Sequence, residues 1–153
     1  MPTPTPEHHR LIAAMAGDWT AEERMFPSPW DPGGERVGRC HARAALGDLF
    51  LITDYVQEHE GRPVFRGHGV YGYDPRRERY TMQWWDSMAT HGGDRVDGVW
   101  AGDTLTFETD HGGPPSRYVY ELRGPDTYRF AILVARGRDW APMMEGLYRR
   151  LRR

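Results

Sequence analysis

Short segments rich in aromatic and β-branched side chains recur about every 10–14 residues from residue 18 onward, and turn residues separate them. Such a spacing is typical of β-strands joined by short connections. Turn chemistry supports it: Asp74-Pro75-Arg76-Arg77 places proline where a type I turn favours it. We predict ten strands, near residues 18–26, 35–45, 48–59, 63–73, 78–87, 94–100, 103–110, 116–123, 126–136 and 139–149.

The first residues predict one short helix, over about residues 6–16. Thr5 is a suitable N-cap, and Pro6 suits the first helical position. Leu11 and Met15 then lie one turn apart and form a narrow apolar stripe.

One helix followed by strands in uninterrupted order favours a single, mainly β domain over residues 1–153. We predict an antiparallel meander β-barrel of about ten strands, because closure removes the sheet edges. A two-sheet sandwich is the alternative. The interior is expected to be aromatic and sulfur-rich, since the 153 residues include 6 Trp, 8 Tyr and 7 Met.

Charge and composition restrict the partners. All 20 basic residues are arginine, with no lysine and no asparagine, a joint depletion typical of a GC-rich genome. The formal net charge is −2, so no field steers the chain toward nucleic acid. No apolar run approaches the ~20 residues of a membrane span. A single cysteine, Cys40, is compatible with a reducing compartment. We therefore expect a soluble cytoplasmic protein without nucleic-acid or membrane partners.

Alternation along one strand predicts which side chains face inward. Met82, Trp84 and Asp86 lie on one side of the strand near 78–87, together with Tyr80. That side is the more apolar, so we place it inside the barrel. Trp85 then points outward, where an exposed aromatic patch is compatible with a homodimer.

Motifs for metal, nucleophile or phosphate chemistry are not found. The seven histidines show no ligand spacing, and Cys40 has no cysteine partner. Gly67-His68-Gly69 lies within a strand pattern rather than before a helix, so we interpret its glycines as marks of a bulge or a barrel corner. We expect no metal and no cofactor.

General acid–base chemistry is the reaction class left open. Asp86 beside Trp84 on an inward face would be partly desolvated, and His91 follows shortly after it. The alternative is structural: Asp86 bonds backbone groups at a strand end, and His91 is a loop residue. The sequence does not decide between these two interpretations.

Several short motifs, in order, resemble a bacterial family of unknown function, DUF1579. They are His9-Arg10-Leu11, Met15-Ala16-Gly17-Asp18-Trp19, Gly72-Tyr73-Asp74-Pro75, Thr90-His91, Arg117, Trp140 to Met144 and Tyr148-Arg149-Arg150. The resemblance covers nearly the whole chain. It implies a lipocalin-like (calycin-type) β-barrel with the N-terminal helix at one end, and it implies no activity.

The opening Gly17-Asp18-Trp19 is also similar to the start of haem-binding, nitrobindin-type barrels. The chain departs from that type in the residues that follow. That type carries its haem-ligating histidine near the C-terminus, whereas the last histidine here is His111, in a predicted loop. We therefore expect no haem.

The leading functional hypothesis is a binding protein that holds a small hydrophobic or amphipathic ligand in its lumen. The predicted ligand-binding residues are Trp84, Met82, Asp86, His91 at the rim and, as weaker choices, His68 and Arg117. The alternative is a cofactor-free enzyme of the isomerase or cyclase type that acts on a hydrophobic metabolite. Its catalytic residues would be Asp86 and His91. The segment Arg149-Arg150-Leu151-Arg152-Arg153, with four arginines and one leucine, is interpreted as the solvated end of the last strand.

Overall fold

The computed structural model describes residues 1–29, 31–109 and 113–152. Within these residues the chain forms one helix and ten antiparallel strands, and the strands close into a barrel in chain order. The elements are α1 (Pro6–Met15), β1 (Gly17–Met25), β2 (Gly34–Ala45), β3 (Phe50–His59), β4 (Arg62–Asp74), β5 (Arg79–Asp86), β6 (Val96–Ala101), β7 (Thr104–Thr109), β8 (Ser116–Leu122), β9 (Thr127–Arg136) and β10 (Asp139–Arg150). The predicted meander barrel is confirmed.

Closure occurs between the first and last strands. β1 pairs with β10 from Trp19↔Arg150 to Met25↔Met144, and its other edge pairs with β2. Each described strand therefore has a partner on both sides, and no long edge is left for pairing with other chains. Predicted and observed strand ends agree within two residues. Two predicted positions lie outside the described residues: Asp110, the predicted end of a strand, and His111 in the loop after it.

Helix α1 lies against one end of the barrel. Leu11 and Met15 are buried in the core, and the Tyr80 hydroxyl donates a hydrogen bond of 3.2 Å to the Glu7 carbonyl oxygen. Thr5 is the N-cap, as predicted. The helix is short, and none in the described part of the chain has the length and apolar character needed to cross a membrane.

Aromatic side chains build the interior, as the composition predicts. Tyr128 stacks on Tyr148 with ring centroids 4.9 Å apart, and Trp19 meets the edge of Tyr128 at 4.7 Å. Tyr120 contacts Phe130 at 4.8 Å. These rings lie on the neighbouring strands β8, β9, β10 and β1 and form a continuous aromatic cluster on one side of the interior.

Arg150 attaches the helix to the barrel, so it is not a solvated strand end as predicted. Its guanidinium donates to the carbonyl oxygens of Ala16 and, at 3.2 Å, Ala13 at the end of α1. It also forms an ion pair of 3.1 Å with Asp126 and lies 4.5 Å above the Trp19 ring. A cation at a helix C-terminus is favourable because carbonyl groups there lack partners within the helix.

We expect Arg150→Met to lower the free energy of unfolding by about 2 kcal/mol, since several charge-assisted hydrogen bonds are lost. Urea denaturation followed by circular dichroism measures this. Arg149→Met is the matched control, because the Arg149 side chain is exposed on the same strand. Equal stability of the two variants would show that Arg150 does not hold the helix in place.

Candidate functional site

A cavity of about 240 Å³ occupies the barrel interior. It extends from Met15 on the helix to Met25 and Asp86, which are the last residues of β1 and β5 at the opposite end. Five of the seven methionines and nine aromatic residues line it. Apart from the tyrosines and Cys40, the polar side chains among the described residues of its wall are Thr53, Gln57 and Asp86. The space is therefore mainly apolar, with a few polar groups.

Three of the predicted ligand-contact residues line this cavity: Met82, Trp84 and Asp86. Trp85 lies on the opposite face and is 39% exposed. The alternation along β5 thus predicts the inner face correctly, because side chains of a regular strand alternate strictly. Their contact with a ligand, and a homodimer through Trp85, stay predictions.

Two glycines on the neighbouring strand make room for the Trp84 indole. A Cβ atom on Gly67 would lie 2.0 Å from Trp84 Cζ2, and one on Gly69 would lie 3.0 Å from Trp84 Cε3. Both glycines keep a regular register with β5, as Gly67↔Asp86 and Gly69↔Trp84. The expected bulge is not found there. The glycines instead let the ring lie flat on the barrel wall.

Both carboxylate oxygens of Asp86 hold the local chain. Oδ2 accepts a hydrogen bond of 3.0 Å from Trp84 Nε1, and Oδ1 accepts one of 2.9 Å from the Met88 backbone N–H. The carboxylate therefore fixes the indole and the turn after β5. This geometry favours the structural interpretation of Asp86.

His91 is exposed in the loop 87–95 and does not line the cavity. Among the described residues it forms no ion pair with Asp86, whose oxygens accept from Trp84 and Met88. The structure does not assemble Asp86 and His91 into an acid–base pair.

The two weaker choices, His68 and Arg117, lie on the outer face of the barrel. His68 follows Gly67, which faces inward, so its ring points out and Nδ1 contacts Asp54 Oδ1 at 2.7 Å. This hydrogen bond lowers the pKa of Asp54. Arg117 donates to Glu108 at 3.1 Å and lies 3.9 Å above the Trp140 ring. Both side chains form contacts between strands on the outer face.

Sequence reasoning missed Glu23, a carboxyl group buried beside the cavity and only 1% exposed. It accepts hydrogen bonds from the hydroxyls of Tyr55, at 2.6 Å, and Tyr148. A Cβ on Gly38 would lie 2.5 Å from Glu23 Oε1, and one on Gly146 would lie 3.0 Å from Glu23 Cγ. Two glycines on the flanking strands thus create the space for this side chain.

The carboxyl group of Glu23 has no ion-pair partner among the described residues. Arg36, its register partner on β2, contacts Asp31 at 3.1 Å instead. Burial raises the pKa of Glu23, while the hydrogen bonds from the two tyrosines oppose that rise. Desolvation of a carboxylate without a compensating charge is costly, and this cost is the cause of the raised pKa.

The described residues contain no group of three or more histidine, cysteine, aspartate or glutamate side chains placed to hold a metal ion. The Cys40 thiol lines the cavity, and burial raises its pKa to about 12. It is therefore a neutral part of the apolar wall rather than a thiolate.

Comparison with solved structures supports the barrel. The chain is similar to Rv2717c from M. tuberculosis, with a TM-score of 0.71 and 13% sequence identity over 97% of this chain and 99% of that one. It is also similar to the S-type phycobiliprotein lyase CPES from Guillardia theta, with a TM-score of 0.63 and 10% identity over 95% of this chain and 93% of that one. At such identities the similarity concerns the fold alone.

Comparison with curated proteins gives no match. A family model does match, over residues 3–150, and its description is "Protein of unknown function (DUF1579)". This range includes α1 and all ten strands. The chain belongs to the DUF1579 family.

Proposed function

We propose that this barrel binds a small, mainly apolar molecule in its interior. One observation carries the proposal: a cavity of about 240 Å³ with aromatic and methionine walls lies inside the barrel. Small-molecule sites are typically concave and apolar with a few polar groups, and this cavity has that character. The similarity to a phycobiliprotein lyase concerns fold, so the proposal rests on the cavity.

The volume limits the size of the ligand. An apolar cavity of about 150 Å³ is enough for benzene, and sites for drug-sized ligands begin near ~300 Å³. The cavity here, at about 240 Å³, lies between these values. We expect a ligand of about ten non-hydrogen atoms, such as a substituted benzene.

The walls suit a ligand of this kind. Trp84 presents an aromatic ring that is half-buried in the cavity wall. Met25, Met82 and Met144 contribute flexible thioethers, which adapt their rotamers to the shape of an apolar guest. Aromatic rings can also contact the ligand edge-on or stacked.

Tryptophan fluorescence tests the proposal, with α-methylstyrene as the probe. We expect saturable change in the emission of the wild-type protein, because Trp84 lies in the cavity wall. Trp84→Phe should remove most of that change and keep a ring in place. Trp85→Phe is the matched control; its titration should equal that of the wild type, since Trp85 lies on the outer face.

Two results would contradict the proposal. The first is the absence of saturable binding by both fluorescence and calorimetry up to the solubility limit of the probe. The second is a signal that Trp85→Phe abolishes and Trp84→Phe leaves intact, which would place the probe outside the barrel.

A further inference from the structure

Glu23 stands directly behind the cavity wall. The Tyr55 and Tyr148 rings line the cavity, and their hydroxyls both bond to the Glu23 carboxyl group, which itself does not line it. Two tyrosines therefore connect Glu23 to the cavity.

The protonation state of Glu23 decides whether the tyrosine hydroxyls can donate a hydrogen bond to a ligand or only accept one. An ionised carboxylate only accepts, so both tyrosine O–H groups are used in bonding to it. Each hydroxyl then has only oxygen lone pairs left for a ligand. A protonated Glu23 donates to one of the two hydroxyl oxygens, and the proton of that tyrosine is free to turn elsewhere. Protonation therefore changes one hydroxyl from an acceptor into a donor.

We propose that the cavity prefers an apolar molecule carrying one hydrogen-bond acceptor, such as a carbonyl oxygen, and that binding this acceptor takes up a proton on Glu23. The inference rests on the proposed function and names the ligand class of the same site. The freed O–H of Tyr55 or Tyr148 donates to the ligand oxygen, and Glu23 keeps the proton that makes this possible.

Neutral hydrogen-bonding groups surround the Glu23 carboxyl group on two neighbouring elements. From β3 it faces Tyr55 and the Gln57 amide, and from β10 it faces Tyr148. Burial raises the pKa of both tyrosines far above neutrality, and the nearby Glu23 charge adds to the effect. Both tyrosines therefore keep their protons near neutral pH.

The remaining facing groups come from β2. They are Cys40, whose thiol burial keeps neutral with a pKa of about 12, and Arg36. The Arg36 guanidinium bonds to Asp31 at 3.1 Å and contacts His59 Nδ1 at 3.3 Å. Within this cluster Glu23 is the carboxylic acid whose pKa burial raises.

A matched pair of probes tests the inference. Acetophenone and α-methylstyrene have the same planar shape and differ in one position, a carbonyl oxygen against a CH₂ group. Isothermal titration in two buffers of different ionisation enthalpy gives the number of protons taken up on binding. For acetophenone we expect up to one proton, and an affinity that falls by up to about tenfold per pH unit once free Glu23 is ionised. For α-methylstyrene we expect no proton uptake.

Variants identify the group that takes up the proton. Glu23→Gln is neutral at every pH, so acetophenone should still bind, now without proton uptake and without pH dependence. Glu22→Gln makes the same chemical change on the exposed outer face and should behave as the wild type. Tyr148→Phe and Tyr55→Phe show which hydroxyl donates: one of them should abolish the preference for acetophenone.

Each outcome decides a separate point. If neither probe binds, the proposed function fails. If acetophenone binds without proton uptake at every pH from 5 to 9, or if both probes bind equally, the proposed function stands and the Glu23 inference is wrong. Proton uptake that persists in Glu23→Gln also overturns it. The two-buffer measurement on wild-type protein needs no variant, so it decides the case even where Glu23→Gln does not fold.

Discussion

Replacing Glu23 by alanine is expected to lower the free energy of unfolding by about 3 kcal/mol, as measured by urea denaturation at pH 7. The hydroxyls of Tyr55 and Tyr148 lose their shared partner, and each unsatisfied buried polar group costs about 1–3 kcal/mol. The space between Gly38 and Gly146 is also left empty, which adds a cavity cost.

Glu23→Gln separates the charge of this side chain from its volume and hydrogen bonds. Because burial raises the folded-state pKa of Glu23, the folded protein binds this proton more tightly than the unfolded chain does. The contribution of Glu23 to stability is thus complete below its unfolded pKa and is lost as the pH rises through its folded pKa. The glutamine variant lacks this loss. We therefore expect its free energy of unfolding to increase relative to that of the wild type as the pH rises.

The gain has a limit of about 1.4 kcal/mol per pH unit within the window between the two pKa values, and none outside it. Unfolding curves of both proteins between pH 4 and 9 measure it, with Glu22→Gln as the control for an exposed carboxylate. A stability difference that is constant over this whole range would mean that Glu23 binds its proton equally well in the folded barrel and in the unfolded chain, so that burial does not raise its pKa.

The strands and their inner face could be predicted from local sequence, because both depend on short-range patterns. In β5 the apolar set with Met82 and Trp84 alternates with a more polar one, and a period of two residues admits only one inward choice. Turn residues mark the strand ends. The barrel then follows from ten such segments in a row, since closure satisfies every edge.

Glu23 could not be recognised in the same way, although a signal is present. It shares the inner face of β1 with Trp19, Ala21 and Met25, and it is the one charged residue of these four. What makes its burial tolerable is distant in the chain: Tyr55 and Tyr148 are 32 and 125 residues away. Local patterns contain no information on which remote hydroxyls converge on a carboxyl group.

The contacts of Arg150 could not be predicted from local sequence either, because its segment has the composition of a solvated one. A run of arginines at a chain end is usually solvated, and Arg149 is. Arg150 instead reaches the carbonyl end of α1, which lies 134 residues earlier at Ala16. Only strand pairing between β1 and β10 brings these ends together, so the contact depends on closure of the barrel rather than on composition.

Gly67→Ala is expected to disrupt both the stability and the cavity of the barrel. The added methyl group would lie 2.0 Å from Trp84 Cζ2 and 2.4 Å from Cη2. The rigid indole therefore has to move away from Gly67. Overpacking of this kind costs about 1–3 kcal/mol. Turning inward, the ring would occupy ligand space and lose its hydrogen bond to Asp86. We expect at least tenfold weaker binding of α-methylstyrene.

Gly113→Ala is the matched control, because no atom of the described residues lies within 4 Å of the methyl group that it adds. The double variant Gly67→Ala, Trp84→Leu tests the cause, since it removes the ring with which the methyl group collides. If the clash is responsible, the alanine should cost much less in the Trp84→Leu background than in the wild type, and the difference measures the coupling between the two positions. Equal costs in the two backgrounds would mean that Gly67 is needed for a backbone property of β4, and that Trp84 does not depend on it for its place in the cavity wall.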